Sequence, residues 1–382
     1  MKRASNLYKD ICNINNIIDM TDSVCKTVRN KKKVDKLENK KIEHIINIYN
    51  RLNNKNFKFD KYNIFMITDP KCRIVMAEEI EDKIINHLVA KYILVKTFEN
   101  KYIDSMVATR KNKGTLYGVK LLKKYLNKIK RKYDNFYFLK LDISKYFYSI
   151  DHNILKKILK KKIKDKDALD ILKSIIDSTN EKYVNKEIKQ LKDGRINYLN
   201  KINLNNKEKL IKETEEIPLY KYNKGCALGN QTSQAFGLIY LYELIHFIKE
   251  KLHIKYIINY MDDFVIIHHD KEYLKYCLNE IKLKLEKEYK LKLNPKKTKI
   301  DSIKKGIDFL GYIFYIKNDK IILKLRKRNK TNLKKKVKNL KLLKKYKYIN
   351  EIEYKKQVSG YIGLLKWGSC NNLWFKVVEE VC

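Results

Sequence analysis

The sequence predicts an α+β fold, with an antiparallel sheet that carries helices on one face. Three observations predict it. Strand-like and helix-like apolar runs are mixed, without strict strand–helix–strand alternation. Only three prolines and 11 glycines interrupt 382 residues, so regular structure should dominate. Residues 254–269, IKYIINYMDDFVIIHH, place two apolar runs around Met261-Asp262-Asp263, the pattern of a hairpin.

Each element follows from its local pattern. Residues 1–58 read as mostly helical, with apolar spacing as in KIEHIINIYNRL. KYNIFMITDPKCRIVMAEE (61–79) is strand-like, and residues 80–98 form an amphipathic helix. DSMVATRKNKGTLYG reads as a cationic loop containing Gly114. NFYFLKLDISKYFYSIDHNILKKILKKKI starts as a strand and becomes a helix, with Asp151 as its N-cap. Residues 163–221 are highly charged and are expected to be helices with an exposed hairpin or insertion. NQTSQAFGLIYLYELIHFIKEKL is a long helix, followed by the 254–269 hairpin and another amphipathic helix, KEYLKYCLNEIKLKLEKEYKLKL. GIDFLGYIFYI is strand-like, and from about residue 318 the chain is expected to be basic and helical to the end. There is no internal repeat and no Gly/Ser-rich linker.

Composition narrows the function classes. The chain holds 86 Lys+Arg against 44 Asp+Glu, a net charge of +42. Such a charge repels itself unless something neutralises it, and phosphates of nucleic acid are the usual partner. Heavy use of Lys, Asn and Ile also fits compositional drift, but drift does not account for 28 tyrosines, which are stacking surfaces. Seven cysteines without a CxxC pair argue against a zinc site or disulfide framework and fit a reducing cytoplasm. No apolar run is long enough for a membrane span, and the N-terminus lacks a signal-peptide core.

The chemistry-bearing residues are carboxylates. By period 2, Tyr260 and Asp262 share a strand face, with Asp263 across the turn. Met-Asp is a poor hairpin turn, and unfavourable turns are tolerated where function needs them. Asp142 closes the strand FYFLKL, so pairing of the two elements would bring three carboxylates to one edge. Carboxylates that close require a cation, and an all-oxygen cluster favours Mg²⁺. A solvated turn is the plain alternative, because a Tyr-x-Asp-Asp string on its own is a weak motif.

Order and context raise the motif. From about residue 60 to the C-terminus the chain resembles a prokaryotic reverse transcriptase. Tyr260-Met261-Asp262-Asp263 resembles the family's catalytic hairpin, and LKLDISKYFYSIDHNIL its first catalytic motif. KGCALGNQTSQ resembles the Gly-x-x-x-Ser motif under the template–primer, LNPKKTKI the motif after the hairpin, and GIDFLGY the primer grip. The resemblance implies a right-hand polymerase fold. It would comprise an N-terminal helical extension (1–58), fingers (59–130), a palm (131–317, with an insertion at about 163–221) and a short helical thumb (318–382).

Roles carry over by the same resemblance. Asp142 and Asp262, with Asp263 nearby and the Ile143 backbone, would hold two Mg²⁺ ions, Mn²⁺ being an alternative. Phe147 would exclude a ribose 2′-hydroxyl. Arg73 and Lys71, then Arg110 and Lys113, would hold the incoming triphosphate. Lys297, with Lys296 as rival, would protonate pyrophosphate. Gly229 would let the backbone approach the nascent pair, and Ser233 and Gln234 would open the following helix. The implied partners are an RNA template, a DNA or RNA primer, deoxynucleotides, a dedicated structured RNA and an accessory protein, with no membrane.

One departure bears on the subgroup. Many members carry Gln-Gly-x-x-x-Ser-Pro, whereas this chain has Leu228 and Gln234 in place of Gln and Pro. That version resembles diversity-generating retroelements, which copy template adenines inaccurately, and related group II intron-like and phage-defence enzymes. A catalytically silent RNA-binding scaffold is the reading from another class. VSGYIGLLKWGSCNNLW resembles a thumb helix with Trp367 and Trp374 seven residues apart.

Overall fold

The computed structural model describes residues 3–28, 31–55, 57–69, 71–318, 320–366 and 368. The N-terminal segment is helical: α1 (Tyr8–Ile11), α2 (Ile14–Thr27), α3 (Lys31–Asn39) and α4 (Lys41–Asn53). β1 (Asn63–Ile67) and β2 (Arg73–Ala77) form an antiparallel hairpin. α5 (Ile80–Leu88) continues through a π-helical stretch, Val89–Val95, into α6 (Lys96–Phe98). α7 (Thr115–Lys130) precedes β3 (Tyr137–Asp142). Next come α8 (Tyr146–Ser149), α9 (His152–Lys162), α10 (Lys166–Asp177), α11 (Lys182–Lys201), α12 (Lys207–Glu215) and α13 (Gln231–Glu250). β4 (Tyr256–Tyr260), β5 (Asp263–His268), α14 (Lys271–Tyr289) and β6 (Lys299–Ser302) follow. The chain continues through β7 (Ile307–Phe309), β8 (Tyr312–Lys317), β9 (Lys320–Leu325), α15 (Lys327–Lys345) and α16 (Glu351–Lys366).

The chain divides into two compact units. The first holds Met1–Thr109, Ile143–Phe247 and Ile281–Asn294. In it the β1–β2 hairpin presents Tyr62, Ile64, Ile74 and Met76 to Val184 and Ile188 of α11 and to Ile217 and Tyr220. Burying such side chains stabilises by roughly 1.5–3 kcal/mol each. The charged segment 163–221 is therefore helical, without the expected hairpin, and supplies core to the hairpin it follows. Its many charges obscure the apolar positions Val184 and Ile188, four apart on one face of α11. Asp151 caps α9, accepting from the N–H groups of Asn153 and Ile154 and pairing with Lys290 at 3.0 Å.

The second unit holds Arg110–Asp142, Ile248–Glu280 and Pro295–Cys382. Its centre is a four-stranded antiparallel sheet in the order β4-β5-β3-β6. β4 and β5 are buried along nearly their whole length, which explains continuous apolar runs such as FVII instead of alternation. β7, β8 and β9 form a separate three-stranded sheet. β9 corrects the helical expectation after residue 318: Ile321, Leu323 and Leu325 alternate inward and pair with β8, a period-2 pattern that the lysines obscure. α7 is also new, since the loop reading ran through Gly118; its Val119, Leu122, Leu126 and Ile129 are buried at helical spacing. Trp367 and Trp374 lie outside the described residues. Among the described residues, no helix is long and apolar enough to cross a membrane.

Candidate active site

The carboxylates gather in the second unit because β5 lies between β4 and β3. In the register, Asp263 faces Tyr260 on one side and Asp142 on the other. Asp262 is not on the face of Tyr260, as period 2 suggested. The strand ends at Tyr260, and Met261-Asp262 form the two-residue turn. Met261 takes a positive φ of 56°, which non-glycine residues rarely adopt. The buried Asn259 holds this turn, its Nδ2 donating to the Met261 carbonyl at 2.5 Å.

The electrostatics are unbalanced in a specific way. Burial pushes the Asp263 carboxyl up to about 6, Lys140 opposes the shift, and the charges of Asp262 and Asp142 add to it. Asp263 Oδ1 is buried with no hydrogen-bond partner, although Lys140 Nζ lies 3.5 Å away. Lys140 also donates to the Asp308 carbonyl at 2.5 Å. Asp142 is engaged by Lys297, whose Nζ donates to Oδ1 at 2.7 Å and Oδ2 at 2.9 Å. Among the described residues, no three His, Cys, Asp or Glu side chains form a ready ligand sphere. Even so, an orphaned buried carboxylate oxygen beside two further carboxylates is a donor set that suits a hard divalent cation. An ammonium already sits on one of those carboxylates.

Sequence reasoning missed Lys140 and Asn259. Lys140 was detectable, since it lies two residues before Asp142 and so on the same strand face. Asn259 had no local signal, because its role comes from the turn it closes.

The remaining candidates, Arg110, Lys113 and Lys296 apart, belong to the first unit. Lys71 and Arg73 are exposed, with Arg73 opening β2 opposite Ile67. The Arg73 charge acts on the Tyr148 hydroxyl, whose pKa burial raises to about 12. Phe147 is half-buried in α8, and its carbonyl accepts from the Cys226 N–H at 2.8 Å. The Met76 N–H donates to the Leu228 carbonyl at 2.8 Å. Gly229 has a φ of 129°, and a Cβ there would lie 2.9 Å from the Met76 carbonyl oxygen. The close approach at Gly229 is thus to β2. These bonds stitch β2, α8 and the loop before α13 into one surface. Ser233 is buried and Gln234 half-buried in the first turn of α13. Ile143 is buried and bridges to Leu293. Arg110 lies in the second unit, in the loop before α7, where its carbonyl accepts from the Lys113 N–H at 3.1 Å.

A carboxylate-bearing hairpin inside an antiparallel sheet, with helices around it, is the palm of a right-hand polymerase. Residues 52–314 match the family described as reverse transcriptase (RNA-dependent DNA polymerase). The chain belongs to that family, a family of nucleotidyltransferases. Solved structures also match, two telomerases among them. One is apo telomerase from Candida Tropicalis truncated from its C-terminal domain, with 15% identity and a TM-score of 0.45, covering 70% of this chain and 55% of that one. The other is telomerase from Candida albicans in complex with a TWJ fragment of telomeric RNA, with 13% identity and a TM-score of 0.42, covering 72% and 46%. The chain spans about half the length of these structures. No curated protein matches it.

Proposed function

We propose that this protein extends a primer 3′-hydroxyl with deoxynucleotides, copying an associated RNA. The observation that carries the reading is the Asp142–Asp262–Asp263 cluster, with its orphaned Asp263 oxygen, in a chain of the reverse transcriptase family. In this reading Asp142, Asp262, Asp263 and the Ile143 carbonyl would hold two Mg²⁺ ions. When bound, such ions favour the deprotonated hydroxyl and neutralise charge on the departing pyrophosphate. Lys297 donates a proton or a hydrogen bond to that leaving group, and must leave Asp142 to do so. Lys140 remains as the fixed counter-charge for Asp263. Arg73 and Lys71 bind triphosphate oxygens as preorganised cations. Phe147 excludes the ribose 2′-hydroxyl by bulk, so that DNA is the product.

Leu228 and Gln234 support a finer assignment, to the compact retroelement enzymes of the diversity-generating type. Phage defence is the alternative role for the same chemistry. Primer extension on an RNA template with Mg²⁺ is the test. Wild type is expected to make cDNA, and Asp262→Asn to lose activity by roughly a thousandfold or more, about 4 kcal/mol of barrier. Undiminished synthesis by that variant would sink the reading. Sequencing the cDNA tests the subgroup: misincorporation should concentrate at template adenines, and faithful copying there would exclude the mutagenic type.

A further inference from the structure

We propose that the exposed face of α7 is a docking site for the sugar–phosphate backbone of an RNA duplex, separate from the copied strand. Lys120, Lys123, Lys124, Asn127, Lys128 and Arg131 line a groove of about 380 Å³ together with Val119 and with Leu323 of β9. The spacing of the polar residues puts them on one helical face, opposite the buried Leu122, Leu126 and Ile129. The eleven steps from Lys120 to Arg131 rise about 16 Å, enough to follow several consecutive phosphates.

A solvated face explains this poorly. Lys120/Lys124 and Lys124/Lys128 are like-charge i,i+4 pairs, which destabilise a helix. The C-terminal dipole favours cations only in the last turn, so it covers Lys128 but not Lys120, Lys123 or Lys124. Between Asp104 and Asp134 the chain has no acidic residue at all. Among the described residues, no ion pair engages Lys123, Lys124, Lys128 or Arg131. α14, by contrast, supplies its own partners, Glu272 for Lys275 and Glu288 for Lys284. The charges of Lys123, Lys124, Lys128 and Arg131 are thus left for an external anion.

The choice of backbone over bases follows from what the stripe lacks. The helix's two tyrosines are used elsewhere: Tyr125 packs on Tyr256 at 5.2 Å, and Tyr117 lies under Lys113 at 3.8 Å. Without stacking rings, the face can read phosphates but cannot hold splayed single-stranded bases. α7 also packs on β4, the edge strand of the sheet that carries the carboxylates, so the groove is anchored to a rigid element. That the duplex is RNA rests on the reverse transcriptase reading.

The test replaces Lys123, Lys124, Lys128 and Arg131 together by Gln in the full chain. Binding of a short RNA hairpin is followed by fluorescence anisotropy as salt is raised. Affinity is expected to fall roughly tenfold or more at low salt, and the slope of log affinity against log salt to fall by about 3 to 4. The matching variant with Arg at the three lysine positions should bind like wild type, which separates lost charge from lost fold. Primer extension on a short unstructured RNA template should be unchanged in the Gln variant. Wild-type hairpin affinity and salt slope in the Gln variant would overturn the proposal. So would an equal loss for unstructured single strands, or a loss confined to anionic lipid vesicles. If wild type makes no cDNA but the Gln variant still loses the hairpin, the polymerase reading fails and the docking site stands.

Discussion

At the scale of single residues, the first unit contains a buried chain of polar groups that responds to pH. Asn86 donates from Nδ2 to Glu78, and the Thr232 hydroxyl donates to the other side of Asn86. Burial and the neighbouring Asp82 push the Glu78 carboxyl up to about 8, against the opposing pull of Lys83. The folded state therefore holds a proton that the unfolded chain releases near its ordinary value of 4.5. The group's stabilising contribution is complete below that value and is lost as pH rises through about 8. Urea unfolding should thus show wild type weakening from about pH 4.5 to about pH 8 and levelling off above, with Glu78→Gln flatter over that range. Parallel pH curves for the two proteins would exclude this account.

At the scale of elements, β2 and the loop leading into α13 meet almost backbone to backbone. The bond from the Met76 N–H to Leu228 and the positive φ of Gly229 both depend on the absence of a side chain at 229. In Gly229→Ala the new Cβ meets a carbonyl oxygen that cannot swing away, and the φ of 129° is strained for any L residue. A loss of about 2–4 kcal/mol is expected, read as a lower urea midpoint. A wild-type midpoint would show that this junction tolerates a methyl group. Gly229 was visible in the sequence as part of a motif, but its packing against β2 was not. A glycine's neighbours come from distant segments, here residue 76 against residue 229.

At the scale of the whole molecule, a net charge of +42 must be held in one folded chain. Self-repulsion of that size lowers stability and is relieved by screening. The melting temperature of the RNA-free protein should rise as salt is raised from about 50 mM to about 300 mM, where the Debye length has shortened to several ångströms. A calorimetric melting temperature that stays flat or falls with salt would mean that internal ion pairs such as Arg51–Asp82 outweigh the excess charge.

The sequence alone determined the secondary structure of strongly periodic segments, the hairpin around Met261, the Asp151 cap, the nucleic-acid-sized positive charge and the motif order. These are properties of residues close together in the chain, where periodicity and capping chemistry act. It was less legible where lysines masked the pattern, as in α7 and β9, because side-chain charge says nothing about the face that the backbone buries. Only the tertiary structure decided the pairing of Asp142 with Asp263, the placement of Asp262 in the turn, the approach of Lys140 to Asp263 and the capture of Asp142 by Lys297. The turn apart, those relations join strands and loops more than a hundred residues apart. Their energies depend on burial and distance, which exist only once the sheet has formed.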